Sequence, residues 1–126
     1  MSAIKVYVDR DKNLTTHVVI GKSTPGQIAS ALEEFYKNSP TRYLLWDFSQ
    51  VENFDIPNEE LIKLLSIAKK YAHVRKEGKT AFINPGDFAF GMGRMYETFT
   101  EIYKHPIPTR TFRSHEEAMK WLFEEE

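Results

Sequence analysis

The sequence predicts an α/β domain: a mixed, mostly parallel five-stranded sheet that opens with a β-hairpin and carries four helices, in the order ββαβαβαβα. Three observations carry this reading. Two runs rich in β-branched residues stand at the start with only a polar turn between them. Each later strand-like run is followed by a segment with helical apolar spacing. The run Arg42-Tyr43-Leu44-Leu45-Trp46-Asp47-Phe48 is nearly continuously apolar, the pattern of a central strand covered on both faces.

The elements follow in order. Ile4, Val6 and Val8 alternate with Lys5, Tyr7 and Asp9, residues 10–13 form the turn, and residues 14–20 give the second strand of the hairpin. Thr24, Pro25 and Gln27 form a helix start with an N-cap, a first-turn proline and a capping-box glutamine, ahead of Ile28, Ala31, Leu32 and Phe35 on one face of a helix over 25–37. Asn38, Ser39 and Pro40 end that helix. A second helix starts at Pro57, with Glu59 and Glu60 at the positive end of its dipole and a stripe of Leu61, Leu64, Leu65, Ala68, Tyr71 and Ala72, and ends near Arg75 and Lys76.

Residues 79–83 read as a short strand. A third helix over 87–103 is expected to turn Phe88, Met92, Met95, Phe99 and Ile102 inward. The last strand, 107–112, contains Pro108, which places it at a sheet edge, and Ser114 with Glu117 forms a capping box for a closing helix.

With 126 residues and 41% hydrophobic content, the chain has the size and composition of one domain, 1–126. Seventeen basic against eighteen acidic residues give a net charge of −1, without the positive field that nucleic acid or an anionic membrane surface requires. The absence of cysteine removes disulfides, thiolate metal sites and a thiol nucleophile. No apolar stretch is long enough for membrane insertion and the start lacks a signal-peptide pattern, so a cytoplasmic protein is expected.

Chemistry is sparse. His17, His73, His105 and His115 lack metal-ligand spacing; His73 and His105 suit helix C-termini, and His17, alternating with Val18, is expected on the strand surface. Gly91 and Gly93 do not complete a dinucleotide fingerprint, since Tyr96 stands where its third glycine would be. No cofactor is read from the sequence. Asp47 and Asp55 could form a carboxylate pair beyond the strand ends, although aspartates in loops more often accept backbone N–H bonds.

The run through Leu45, Trp46, Asp47, Val51, Asp55 and Pro57, together with the element order, resembles the STAS domain of SpoIIAA-like anti-sigma-factor antagonists. The segment from Pro85 through Gly86, Gly91 and Gly93 to Glu97 is similar to the third-helix region of SpoIIAA-like bacterial proteins. The resemblance implies a regulatory domain. In its phosphoregulated members a serine at the start of helix two is the phosphoacceptor, and here that position is Pro57, preceded by Ile56. Proline has no hydroxyl, so the resemblance does not extend to a serine switch at that site.

The first functional reading is therefore a non-enzymatic module that acts through protein contacts, with a protein partner or a second copy as a homodimer. Its expected surface is the 49–58 loop, including Asp55, Ile56, Pro57 and Asn58, with Phe90 and Arg94 of helix three. The alternative is a binder of a small apolar or lipid-like ligand between helices two and three. A third reading, a small enzyme using Asp47 and Asp55, stands behind both.

Overall fold

A computed structural model describes residues 3–38, 40–52 and 55–124. Ser39, Asn53 and Phe54 of the expected breaker and loop lie outside the described residues, as do the two residues at each terminus. The elements are β1 (Ala3–Asp9), β2 (Leu14–Gly21), α1 (Pro25–Asn38), β3 (Tyr43–Val51), α2 (Asn58–Lys70), a short 3₁₀ turn (Ala72–Arg75), β4 (Lys79–Ile83), α3 (Asp87–Ile102), β5 (Thr109–Phe112) and α4 (His115–Leu122). The predicted order holds. The second helix stops at Lys70, and the 3₁₀ turn carries its apolar pattern on through Ala72.

The strands lie in the order β1-β2-β3-β4-β5, with only β1 and β2 antiparallel. β3 is central, as its apolar run requires, and β5 is an edge strand as expected, but it starts at Thr109, so Pro108 precedes the strand and does not lie within it. Alternation along β3 divides two cores. Leu44, Trp46 and Phe48 face α1, α2 and α3 and pack with Leu32, Phe35, Leu61, Leu65 and Tyr96. Leu45 faces the other way and packs with Ala81, Ile83, Ala118 and Leu122 beneath α4.

Local signals place the helices. Thr24 and Gln27 exchange hydrogen bonds, the Gln27 N–H donating to Thr24 Oγ1 at 3.1 Å and the Thr24 N–H to Gln27 Oε1 at 2.8 Å. Ser114 accepts the Glu117 N–H at 3.2 Å in the same way. Asn13 takes the left-handed conformation that its residue type tolerates, φ 55°, and its Oδ1 accepts the Arg42 N–H, tying the hairpin turn to the entry of β3.

Two expectations are corrected. His17 is not a strand-surface residue: it is almost completely buried, stacked on Trp46 at 4.1 Å between ring centroids and edge-on to Phe35. β2 is covered most deeply on the face carrying Thr15, His17 and Val19, so the side with the polar residues is the core side.

The second correction concerns α3, which is turned relative to the expected stripe. Its buried line is Gly93 and Tyr96, with Met92 and Phe99 at the flank, while Phe88, Met95 and Ile102 are exposed. Gly93 is the reason. A Cβ there would lie 2.5 Å from Thr111 Oγ1 and 2.9 Å from Asn84 Nδ2, so the bare backbone lets the helix seat on β4 and β5 along its glycine.

Candidate functional site

The residues expected to form a surface divide once placed. Asp55, Pro57 and Asn58 are exposed at the head of α2, but Ile56 is buried in the core, and its N–H points to Met92 Sδ at 3.2 Å. That contact sets the 55–58 turn beside α3. Ile56 therefore anchors the surface and is not part of it.

Phe90 and Arg94 also part company. Phe90 is half-buried under the Arg113 guanidinium, 4.2 Å from the ring centroid, and Arg113 also donates to Asp87 Oδ1 at 2.6 Å and to the Pro85 carbonyl at 3.1 Å. The ring thus helps clamp the start of α3 to the segment after β5. Arg94 projects outward near Glu97, at 3.9 Å, a distance at which an exposed pair contributes little.

The exposed apolar side chains lie elsewhere on α3. Phe88 (65% exposed), Met95 (39%) and Ile102 (61%) are spaced by seven residues and so line up along one side of the helix, over about 21 Å. Sequence periodicity groups them with Met92 and Phe99, which do pack against the core. The structure splits that stripe, because apolar counting gives no weight to a buried glycine.

Beneath α2 and α3 lies a cavity with about 70 Å³ open to the centre of a water-sized sphere. Its walls include Trp46, Phe48, Leu64, Phe82, Met92 and Tyr96, and its polar lining comprises Tyr36, Thr80, Asn84, His105 and Thr109. Asn84 Oδ1 and His105 Nδ1 are buried without a hydrogen-bond partner among the described residues. Burial, with Arg75 and Lys69 nearby, holds His105 down to a pKa of about 4, so its imidazole is neutral near pH 7. Burial likewise pushes the Tyr96 phenol above its ordinary value.

Behind this polar end sits Arg75, which sequence reading passed over as a helix terminus. It is buried, and the acceptors around it are neutral: the carbonyls of Thr41, Arg42 and Lys79, the Tyr36 hydroxyl and Thr80 Oγ1, at 2.8–3.2 Å. Burial lowers its pKa, and Tyr36 opposes that shift. Having accepted from Arg75, the Tyr36 hydroxyl keeps its own proton to donate. No pattern of spacing announces such a hub, because its acceptors come from three separate segments.

Asp47 makes a local backbone contact. Its Oδ1 accepts the Ser49 N–H at 2.9 Å, where the β2/β3 register shifts between Val18 and Ile20, so the carboxylate supports a bulge. Asp55 is exposed on its turn at the head of α2. Among the described residues, no three His, Asp or Glu side chains are grouped to hold a metal ion, and no helix is long and apolar enough to cross a membrane.

The hairpin-led, mostly parallel sheet with three helices on one face and one on the other defines the SpoIIAA-like fold. A protein of the DUF3478 family with a SpoIIAA-like fold, from Shewanella loihica PV-4, is similar over 96% of this chain and 93% of its own, with a TM-score of 0.59 and 20% identity. The anti-sigma factor antagonist SpoIIAA in its unphosphorylated form is similar over 94% of this chain and 96% of its own, with a TM-score of 0.53 and 13% identity. No family model matches the sequence, and no curated protein matches it significantly. At these identities the likeness is one of fold.

Proposed function

We propose that this chain is a SpoIIAA-like regulatory module that acts in the cytoplasm by protein contact, without a serine switch at the head of α2. The contact surface is the outward line of α3, Phe88, Met95 and Ile102, flanked by Arg94 and by the turn of Asp55, Pro57 and Asn58, with Phe90 holding the helix start in place. The single observation that carries this reading is the row of large apolar side chains left in water on one side of α3. A soluble surface rarely keeps such a row without something to cover it. The fold shared with an anti-sigma factor antagonist agrees with a protein partner.

The test is quantitative capture with the wild-type chain and with Phe88→Ser/Ile102→Ser as baits, alongside binding to phospholipid vesicles. A partner enriched by the wild type and lost with the double variant supports the reading. Capture unchanged by the substitutions, or binding to vesicles alone, sinks it. Because both side chains are exposed, the variant should unfold at the same denaturant concentration as the wild type.

A second reading has its own observation, the cavity beneath α2 and α3. About 70 Å³ is several times the roughly 15 Å³ that admits one water molecule, yet far too little for an acyl chain. The ligand that fits is small and apolar, with one polar group directed to Tyr36, Asn84 or His105. Native mass spectrometry of protein purified without detergent should reveal a bound mass, and phenol or indole should raise the melting temperature. An apo spectrum together with an unchanged melting temperature would discard this reading.

A further inference from the structure

We propose that β1 is the seam of a homodimer: two copies pair β1 with β1, antiparallel, in the register that sets Tyr7 opposite Tyr7, and join two sheets into one of ten strands. This goes beyond the α3 surface and does not depend on it. β1 is the last strand on its side of the sheet, so alternate residues direct their N–H and C=O groups away from β2 with no strand beyond to receive them.

The strand lacks most of the devices that keep an edge single. Its ladder with β2 runs unbroken from Ala3 opposite Ile20 to Asp9 opposite Leu14, without a bulge or a proline. Val6, Tyr7 and Val8 are 54%, 57% and 46% exposed, so apolar surface stands open on both faces of the edge. The other edge of the same sheet is guarded. β5 has four residues, follows Pro108, and gives the Thr111 N–H to Glu97 Oε2 of α3 at 2.8 Å.

Charge identifies the occupant and the register. Two copies of one strand in antiparallel pairing can match only residues of the same parity, because paired side chains share a face. Pairing about Lys5 sets Lys5 against Lys5. Pairing about Val6 sets Lys5 against Tyr7 and leaves Asp9 opposite Ala3. Pairing about Val8 sets Asp9 against Tyr7 and sends Lys5 past the strand to the turn.

Pairing about Tyr7 sets Lys5 against Asp9 twice, around a Tyr7 pair, and Val6 against Val8 twice on the other face. Only this register opposes the strand's two opposite charges, and it does so with the strand's own sequence. On the valine face, a groove of about 650 Å³ runs between β1 and α1, floored by Val6 and Val8 and walled by Ala31, Glu34 and Phe35. The second copy lays its own Val6 and Val8 alongside that floor.

Sedimentation velocity of the full chain over a concentration series tests the seam. The wild type should be a dimer that dissociates on dilution, and Tyr7→Lys, which opposes two lysines, should be monomeric. Lys5→Asp opposes like charges at two places and should raise the dissociation constant about tenfold, whereas Lys5→Asp/Asp9→Lys restores the pairing and should return it close to the wild-type value. All three positions are exposed, and circular dichroism of each variant should match the wild type. A wild type that is monomeric throughout overturns the proposal, as does a dimer insensitive to Tyr7→Lys, a charge swap that fails to restore association, or a dimer abolished by Phe88→Ser instead.

Discussion

The two edges of the sheet are built on opposite principles. At β5 a short strand, a proline, a helix seated through Gly93 and a carboxylate on the Thr111 N–H close the edge. At β1 a longer, regular strand presents valine and tyrosine to solvent on both faces. The contrast teaches that the closed edge has to be assembled from residues of different elements, Glu97 and Gly93 of α3 against Thr111, whereas the open edge needs only the pattern of one strand. Each end also holds a histidine kept neutral by burial, His17 fully enclosed beside β1 and His105 half-buried between α3 and β5.

The largest effect expected from probing this contrast is that of pH. Burial holds His17 at a pKa of about 4, against an ordinary value of 6.5. Between these values the unfolded chain binds a proton that the folded chain does not, so stability is complete above about pH 6.5 and falls as pH drops towards 4. The loss is about 1.4 kcal/mol per pH unit, on the order of 3 kcal/mol for His17 across the window. Urea titrations from pH 4 to neutrality should show a shallower slope for His17→Phe, which keeps a ring on Trp46; parallel curves would place the titration elsewhere.

Next comes the seat of the closed edge. Gly93→Ala drives a methyl group into Thr111 and should cost about 2 kcal/mol in urea unfolding, by forcing α3 away from β5. Removing the carboxylate with Glu97→Ala should cost about 1.5 kcal/mol and speed hydrogen exchange at the Thr111 amide, while the amides of β1 are unchanged. Unaltered exchange at Thr111 would mean that the edge is closed by shape alone. The smallest effect is expected at the α4 cap, where Ser114→Ala should lose about 1 kcal/mol.

The fold was legible where the cause is local. Thr24 with Gln27 and Ser114 with Glu117 mark helix starts through bonds between near neighbours, and Pro108 marks an edge because proline cannot donate to a ladder. The central strand was legible because being covered on both faces removes polar alternation. The site was less so. His17 follows an alternation whose polar phase faces the core, and α3 is rotated by a contact that a missing side chain allows. Arg75 and Glu97 serve backbone groups brought near only by folding, so nothing beside them in the sequence marks their roles.

The two-sided core has a consequence for synthesis. Every parallel pairing joins strands that are consecutive in the chain, so each strand can add to one already made as the polypeptide leaves the ribosome. The face bearing Leu45, Ala81 and Ile83 waits longest, because its cover, Ala118 and Leu122, lies in α4. A nascent chain halted after β5 would hold the five strands with one oily side uncovered, and α4 is the element whose arrival takes that side out of water.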